Sequence, residues 1–111
     1  MSIFIPQELL IVNGARHHAE NIQFLIKLNA KGALSYDCDA VLESEPDNKF
    51  DENAIAVLVD HRRVGYISAQ TAPSLKRIIF DSYNILRCTL LWNGDPDADY
   101  SLYTVQLFNV K

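Results

Sequence analysis

The 111-residue sequence is poor in the residues from which cofactor and metal sites are assembled. Its four glycines stand at positions 14, 32, 65 and 94, too far apart for the glycine-rich loops that wrap nucleotide phosphates. Of its three histidines, His17 and His18 are neighbours and His61 is distant, so no paired-histidine zinc spacing occurs. The two cysteines, Cys38 and Cys88, make neither a CxxC motif nor a disulfide framework, and their apolar surroundings predict buried free thiols. Neither a nucleophile elbow nor a cysteine–histidine signature is present. Asp95, Asp97 and Asp99 copy the first ligand positions of a calcium loop. Tyr100 stands where that loop needs glycine, however, and Gln106 where it needs glutamate, so a solvated turn is expected. The expectation is a protein that is not an enzyme, with no metal and no cofactor.

Long hydrophobic runs are missing as well. None approaches the ~18 residues needed to cross a bilayer, and Met1–Gln7 lacks the charged start and apolar stretch of a signal peptide. A soluble, cytoplasmic protein with no membrane partner is expected. Positive charge is also in short supply. Ten Lys and Arg against fourteen Asp and Glu give a net charge of −4, the wrong sign for a broad grip on a phosphate backbone. What is there is a globular composition, 49% hydrophobic and 22% charged, over a length suited to one domain spanning residues 1–111.

Periodicity outlines the elements. Leu9–Val12 reads as a short strand ending at the Asn13-Gly14 turn signal. In Ala19–Asn29, Ile22, Leu25 and Ile26 fit one face of a helix that Gly32 could close; Phe24, Ile26 and Leu28 also alternate, so a strand stays open there, with helix favoured. Leu34, Tyr36, Cys38, Ala40 and Leu42 alternate with polar residues and predict a half-buried strand. Glu43–Asn53 has loop chemistry. Ala54–Val59 and Val64–Ile67 read as a hairpin about a polar turn at Asp60–Arg63, with Arg62 and Arg63 at its charged tip. Ser68 can cap a helix from about Gln70 to Phe80, with Pro73 in its first turn and Leu75, Ile78 and Ile79 inward. Ile85–Trp92 and Leu102–Val110 are further strands, separated by a polar loop at Asn93–Asp99. Five to six strands with one or two helices suit a small, mainly β, OB-like and partly open antiparallel barrel.

One segment is far from generic: Leu42-Glu-Ser-Glu45-Pro46-Asp47-Asn48-Lys49-Phe50-Asp51-Glu52-Asn53-Ala54-Ile55-Ala56-Val57, followed by Val64-Gly65-Tyr66-Ile67. Part of it has an ordinary structural reading. Pro46 fixes its φ, Asp47, Asn48, Asp51 and Asn53 are turn-forming side chains, and a glycine inside a strand marks a bulge or a close backbone approach. As a whole the segment resembles the central signature of HIRAN domains, with the likeness running from about Val12 to Arg77 and tight from Val41 to Ile67. The resemblance implies a stand-alone, non-enzymatic module that holds the free 3′ end of single-stranded DNA, in repair or processing, alone or with a DNA-processing protein. By that resemblance Phe50 stacks on the terminal base, Asp51 accepts a hydrogen bond from the 3′-hydroxyl, and Asn48 contacts the end nucleotide. Gly14-Ala15-Arg16-His17 resembles the family's early basic–aromatic segment, so Arg16 would meet a phosphate and His17 a base. Tyr66, from the Gly-Tyr pair, and Trp92, as the late apolar contact, complete the set.

The sequence departs from the family pattern at three places. Phe50 lacks the phenolic hydroxyl common at its position, a loss of about 1 kcal/mol of hydrogen bonding. Ala69 falls where a basic residue often follows the Gly-Tyr pair. Glu43, Glu45, Asp47, Asp51 and Glu52 crowd a loop whose one cation is Lys49, and all but Asp51 are expected to oppose a phosphate backbone. A protein-interaction or regulatory module on the same scaffold, without DNA, is the alternative reading.

Overall fold

A computed structural model describes residues 5–29, 34–79, 85–92 and 103–109. The alternating stretch becomes the longest strand, β2 (Ser35–Ser44), which buries Cys38, Ala40 and Leu42 and turns Asp37, Asp39 and Glu43 outward. Around it β1 (Val12–Asn13), β3 (Ile55–Val59), β4 (Arg62–Ile67), β5 (Ile85–Trp92) and β6 (Tyr103–Phe108) form one antiparallel sheet in the order β1-β4-β3-β2-β5-β6. The two edge strands approach one another, so the sheet curls into a nearly closed barrel. Among the described residues no main-chain pairing joins β1 to β6, and side-chain bonds tie the segment ahead of β1 to the end of the last strand. The Ile5 N–H donates to Asn109 Oδ1 at 2.8 Å, Asn109 Nδ2 donates back to the Ile5 carbonyl at 2.7 Å, and Gln7 Nε2 donates to the Leu107 carbonyl at 2.6 Å.

Ala19–Asn29 is helix α1, and burial decides between the two periodicities. Ile22, Leu25 and Ile26 enter the core, whereas Phe24 and Leu28, which a strand would have turned the same way as Ile26, are exposed. The helix lies against β2, β4 and β5. A second helix, α2 (Ala72–Ile79), starts two residues later than expected. The Ser68 carbonyl accepts the N–H groups of Thr71 and Ala72, at 3.0 and 2.9 Å, so residues 68–71 form a turn before the helix. Ser68 acts here through its main chain. Leu75 is fully buried.

Three expected boundaries are corrected. Leu9–Val12 is not a strand: Pro6 leads into a 3-10 turn at Gln7–Leu9, closed by the Leu10 N–H on the Gln7 carbonyl, and only Val12 and Asn13 pair, with Ile67 and Tyr66. The loop expected at Glu43 begins only after Ser44. Arg62 and Arg63 are strand residues rather than a hairpin tip. The turn is Asp60-His61 alone, both with positive φ (51° and 66°), which is the type I′ geometry that matches strand twist. Gly65 carries both features expected of a strand glycine. The β3–β4 register slips beside it, and a Cβ at Gly65 would lie 2.6 Å from Val12 Cγ1 and 3.1 Å from the Asn13 carbonyl oxygen. The residues Gly32, Phe80, Asp95, Asp97 and Asp99, on which other expectations rested, lie outside the described residues.

The core gathers Ile22, Leu25, Ile55, Val57, Val64, Leu75, Leu90 and Leu107, with Cys38 and Cys88 among them as free thiols. Among the described residues, no helix is long and apolar enough to cross a membrane.

Candidate nucleic-acid interface

The loop between β2 and β3 is built from its own side chains. Asn48 Oδ1 accepts the N–H groups of Phe50 and Asp51 at 2.9 and 3.1 Å, while its Nδ2 donates to Glu45 Oε1 at 3.1 Å. Asp51 Oδ1 accepts the Asn53 N–H at 2.9 Å, and the Asp51 carbonyl accepts the Ala54 N–H at 3.0 Å. Below them the Glu45 N–H bonds the Ala54 carbonyl at 2.9 Å, closing the loop onto the strand pair. Short polar side chains bonding main-chain N–H groups two or three residues on is the usual way such a connection is fixed. Phe50 emerges from this frame 99% exposed.

Glu45 is the anchor of the loop. Its Oε2 accepts Arg63 Nε and Nη2 at 2.9 and 2.6 Å, and its Oε1 accepts the Tyr66 hydroxyl at 2.8 Å besides Asn48. Burial at the loop base pushes this carboxyl upward, but the bonds from Asn48, Tyr66 and Arg63, with the guanidinium charge, outweigh it and hold Glu45 below its usual range. Burial and the bond to Glu45 raise the Tyr66 hydroxyl, and the bond to Glu45 raises Arg63 further. The consequence for the expected repulsion is direct. One of the loop's carboxylates is turned inward and matched to a cation, leaving Glu43, Asp47 and Glu52 exposed.

Tyr66 links this loop to the second patch. Its strand pairs with β1, whose Asn13 lies opposite it, and the ring sits 6.0 Å from that of His18. Gly14, at φ 77°, turns the chain out of β1 into a 3-10 turn at Ala15–His18. There Ala15 is buried, whereas Arg16 and His17 are exposed on a hollow of about 280 Å³ shared with Glu20 and Asn21. Burial, the adjacent His17 and then Arg63 lower the His18 imidazole, against a smaller opposing effect of Glu45, which favours its neutral form.

The expected residues therefore fall into three groups. Phe50, Asp51, Arg16 and His17 lie on the two sides of the Tyr66–Glu45 link, with Phe50, Arg16 and His17 open to solvent. Asn48 and Tyr66 have their polar atoms engaged in holding the loop. Trp92 stands apart at the end of β5, 9% exposed, stacked on Tyr103 at 6.3 Å with the Lys27 ammonium 5.5 Å from its ring. It shares the inward parity of Leu86, Cys88 and Leu90, a signal that the sequence did carry. Glu45 and Arg63 as a loop anchor were not foreseen. Arg62, expected at a charged hairpin tip, lays its guanidinium over the Phe24 ring at 4.0 Å and reaches Asn21.

Among the described residues, no group of three or more His, Cys, Asp or Glu side chains is arranged to hold a metal ion. A family model for the HIRAN domain matches residues 14–108. No curated protein and no solved structure matches the chain.

Proposed function

The chain belongs to the HIRAN domain family, a family of DNA-binding modules, and on that premise we propose that it binds the free 3′ end of single-stranded DNA, as one domain and without catalysis. The observation that carries the reading is Phe50, a ring left almost wholly in solvent on a loop that three side chains hold in place. A stacking platform works this way, since every base has a π-face and the main chain that carries the ring is already held and loses little freedom on binding. Asp51 supplies the second element. Its Oδ1 serves the loop, and the other oxygen is the acceptor for a terminal hydroxyl, a carboxylate that rewards a 3′-hydroxyl and repels a 3′-phosphate. Arg16 would take the adjoining phosphate and His17 a neighbouring base. Asn48 and Tyr66 contribute by keeping Phe50 and Asp51 in register.

One stacked base contributes about 1–3 kcal/mol and one charge-assisted hydrogen bond about 1.5–3. A couple of each (Phe50 and His17 stacking, Asp51 on the hydroxyl and Arg16 on a phosphate), less an association cost of at least about 4 kcal/mol, supports micromolar binding at best. The test is fluorescence anisotropy with short strands ending in 3′-hydroxyl or 3′-phosphate, across a salt series. End binding predicts preference for the hydroxyl, a salt slope equivalent to about one or two phosphates, and loss of affinity in Phe50→Ala and Asp51→Asn. The asparagine keeps an acceptor for the Asn53 N–H, so its effect reads the charge and not the loop. Indifference to the end group, or no binding at high protein concentration, would instead favour a module that recognises a partner protein. Action in DNA repair or processing, beside a DNA-processing protein, is part of the same proposal.

A further inference from the structure

The only two cysteines in the sequence lie directly opposite one another, in adjacent strands. Cys38 of β2 is the Cα partner of Cys88 of β5, and both side chains face the core, 8% and 1% exposed. The phase of the pairing follows from the Trp92 N–H, which bonds the Leu34 carbonyl of the residue opposite at 3.0 Å. Four residues along, Cys38 and Cys88 fall in the same phase and exchange main-chain bonds. Such pairs have Cα atoms about 5.5 Å apart, inside the window of roughly 4.4–6.8 Å that a disulfide spans. Their Cβ atoms stand about as far apart, beyond the roughly 3.5–4.5 Å of a relaxed bridge, so the strands must draw together and the bond formed is strained and readily reduced. The two sulfurs are near enough to perturb each other. Contact with Cys88 lowers the Cys38 thiol against the opposing effect of burial, while contact with Cys38, and then burial, raise Cys88.

The two thiols also differ in access. β2 pairs with β3 only over Val41–Ser44, so its first half has β5 on one side and an open seam on the other. The hairpin end at Val59, Asp60 and His61 forms the far wall of that seam, a groove of about 820 Å³ that Cys38 lines and Cys88 does not. Arg87, also on the groove and paired with Asp39, favours a thiolate at Cys38 against the opposing carboxylates of Asp39 and Asp37. Thiolate character and access together determine which cysteine reacts first.

We propose that Cys38 and Cys88 are a redox-active pair that closes to an intramolecular disulfide, with Cys38 attacking a low-molecular-weight disulfide first and Cys88 resolving the adduct. The Cys38 thiolate attacks one sulfur of the oxidant, forming a mixed disulfide and releasing one thiolate. Cys88 then loses its proton and attacks Cys38 Sγ, forming the cross-strand bond and releasing the second thiolate. The protein loses two protons and two electrons, and the small disulfide takes them up to become two thiols. The loop carrying Phe50 takes no part, so this site stands independently of the DNA reading.

The test is intact-mass measurement of the folded chain after incubation with oxidised and reduced glutathione at graded ratios, with free thiols then blocked. The expected product is a monomer lighter by two hydrogens, with no thiol left to block, restored by a dithiol reductant. In Cys88→Ser one glutathione should remain on Cys38, located by peptide mapping, and Cys38→Ser should stay unmodified over the same period. The proposal is overturned by a wild-type chain that keeps both thiols across the series, by one that keeps glutathione without closing, or by one that links only between molecules. Equal modification of Cys38→Ser and Cys88→Ser would overturn the order of attack.

Discussion

Replacing Glu45 by glutamine tests whether the loop beneath Phe50 is held electrostatically. The amide preserves shape and one acceptor, but it removes the charge on which Arg63, Tyr66 and Asn48 converge. A hydrogen bond to a charged group contributes about 1.5–3 kcal/mol and a neutral one about 1. The Arg63 side chain is 47% exposed, so its pair with Glu45 is discounted to about 0.2–1 kcal/mol. The larger share is the Tyr66 and Asn48 bonds to a carboxylate whose side chain is only 14% exposed. The expected loss in Glu45→Gln is about 1–2 kcal/mol at neutral pH, and Glu45→Ala, which strands three donors, should lose about 2–4. The sign of the pH dependence follows from the depressed carboxyl. Its contribution is complete above the ordinary value of 4.5 and fades as pH falls through the lower folded value. Urea unfolding of both chains at neutral pH and in acid reads this directly: the gap should be flat above about pH 5 and narrow below it. A glutamine variant as stable as the wild type at neutral pH, or a gap unchanged in acid, would refute the argument.

Phe50→Ala should leave unfolding within about 0.5 kcal/mol of wild type, because the ring touches little, while weakening DNA-end binding by the stacking share of about 1–3 kcal/mol; parallel melts and anisotropy titrations separate the two. Gly65→Ala should destabilise by about 1–3 kcal/mol in urea, since Val12 or the β1 main chain must retreat from the new methyl group. His61→Gly should raise stability by up to about 1 kcal/mol, relieving a left-handed side chain at the β3–β4 turn; an unchanged or lowered urea midpoint would contradict the turn assignment. Arg16→Ala should lower affinity and reduce the salt slope by about one phosphate, while Trp92→Phe should leave binding unchanged and show its effect in thermal unfolding.

Much of the architecture was legible because it is written in local periods. The i, i+3, i+4 spacing of Ile22, Leu25 and Ile26 located α1, alternation located β2, and Ile85–Trp92 was read as a strand with the bounds that β5 has. The turn chemistry of Asn48 and Asp51 was also readable, since their partners are two or three residues away. What escaped depends on register between strands, which no single segment encodes. Glu45 meets Arg63 because β3 and β4 fold back beside the loop, and Arg62 meets Phe24 because α1 crosses β4. The acids of the loop were therefore counted as one repelling cluster when one of them is an internal anchor. Leu9–Val12 misled for another reason: of its four apolar residues only Leu10 is buried, after a 3-10 turn and without pairing, while Ile11 is exposed. The opposition of Cys38 and Cys88 is a register property too, invisible from two cysteines fifty positions apart.

Asn109 and Ile5 grip each other through two mutual bonds, so the chain arrives at the barrel and leaves it from one corner. A polypeptide threaded into the fold there can return beside its starting point, which lets the whole unit be spliced into a surface turn of a host protein without prising that turn apart. The same latch is a natural breaking point: loss of the Asn109 amide would free the segment ahead of β1 from the end of β6, leaving the five strand pairings of the sheet intact.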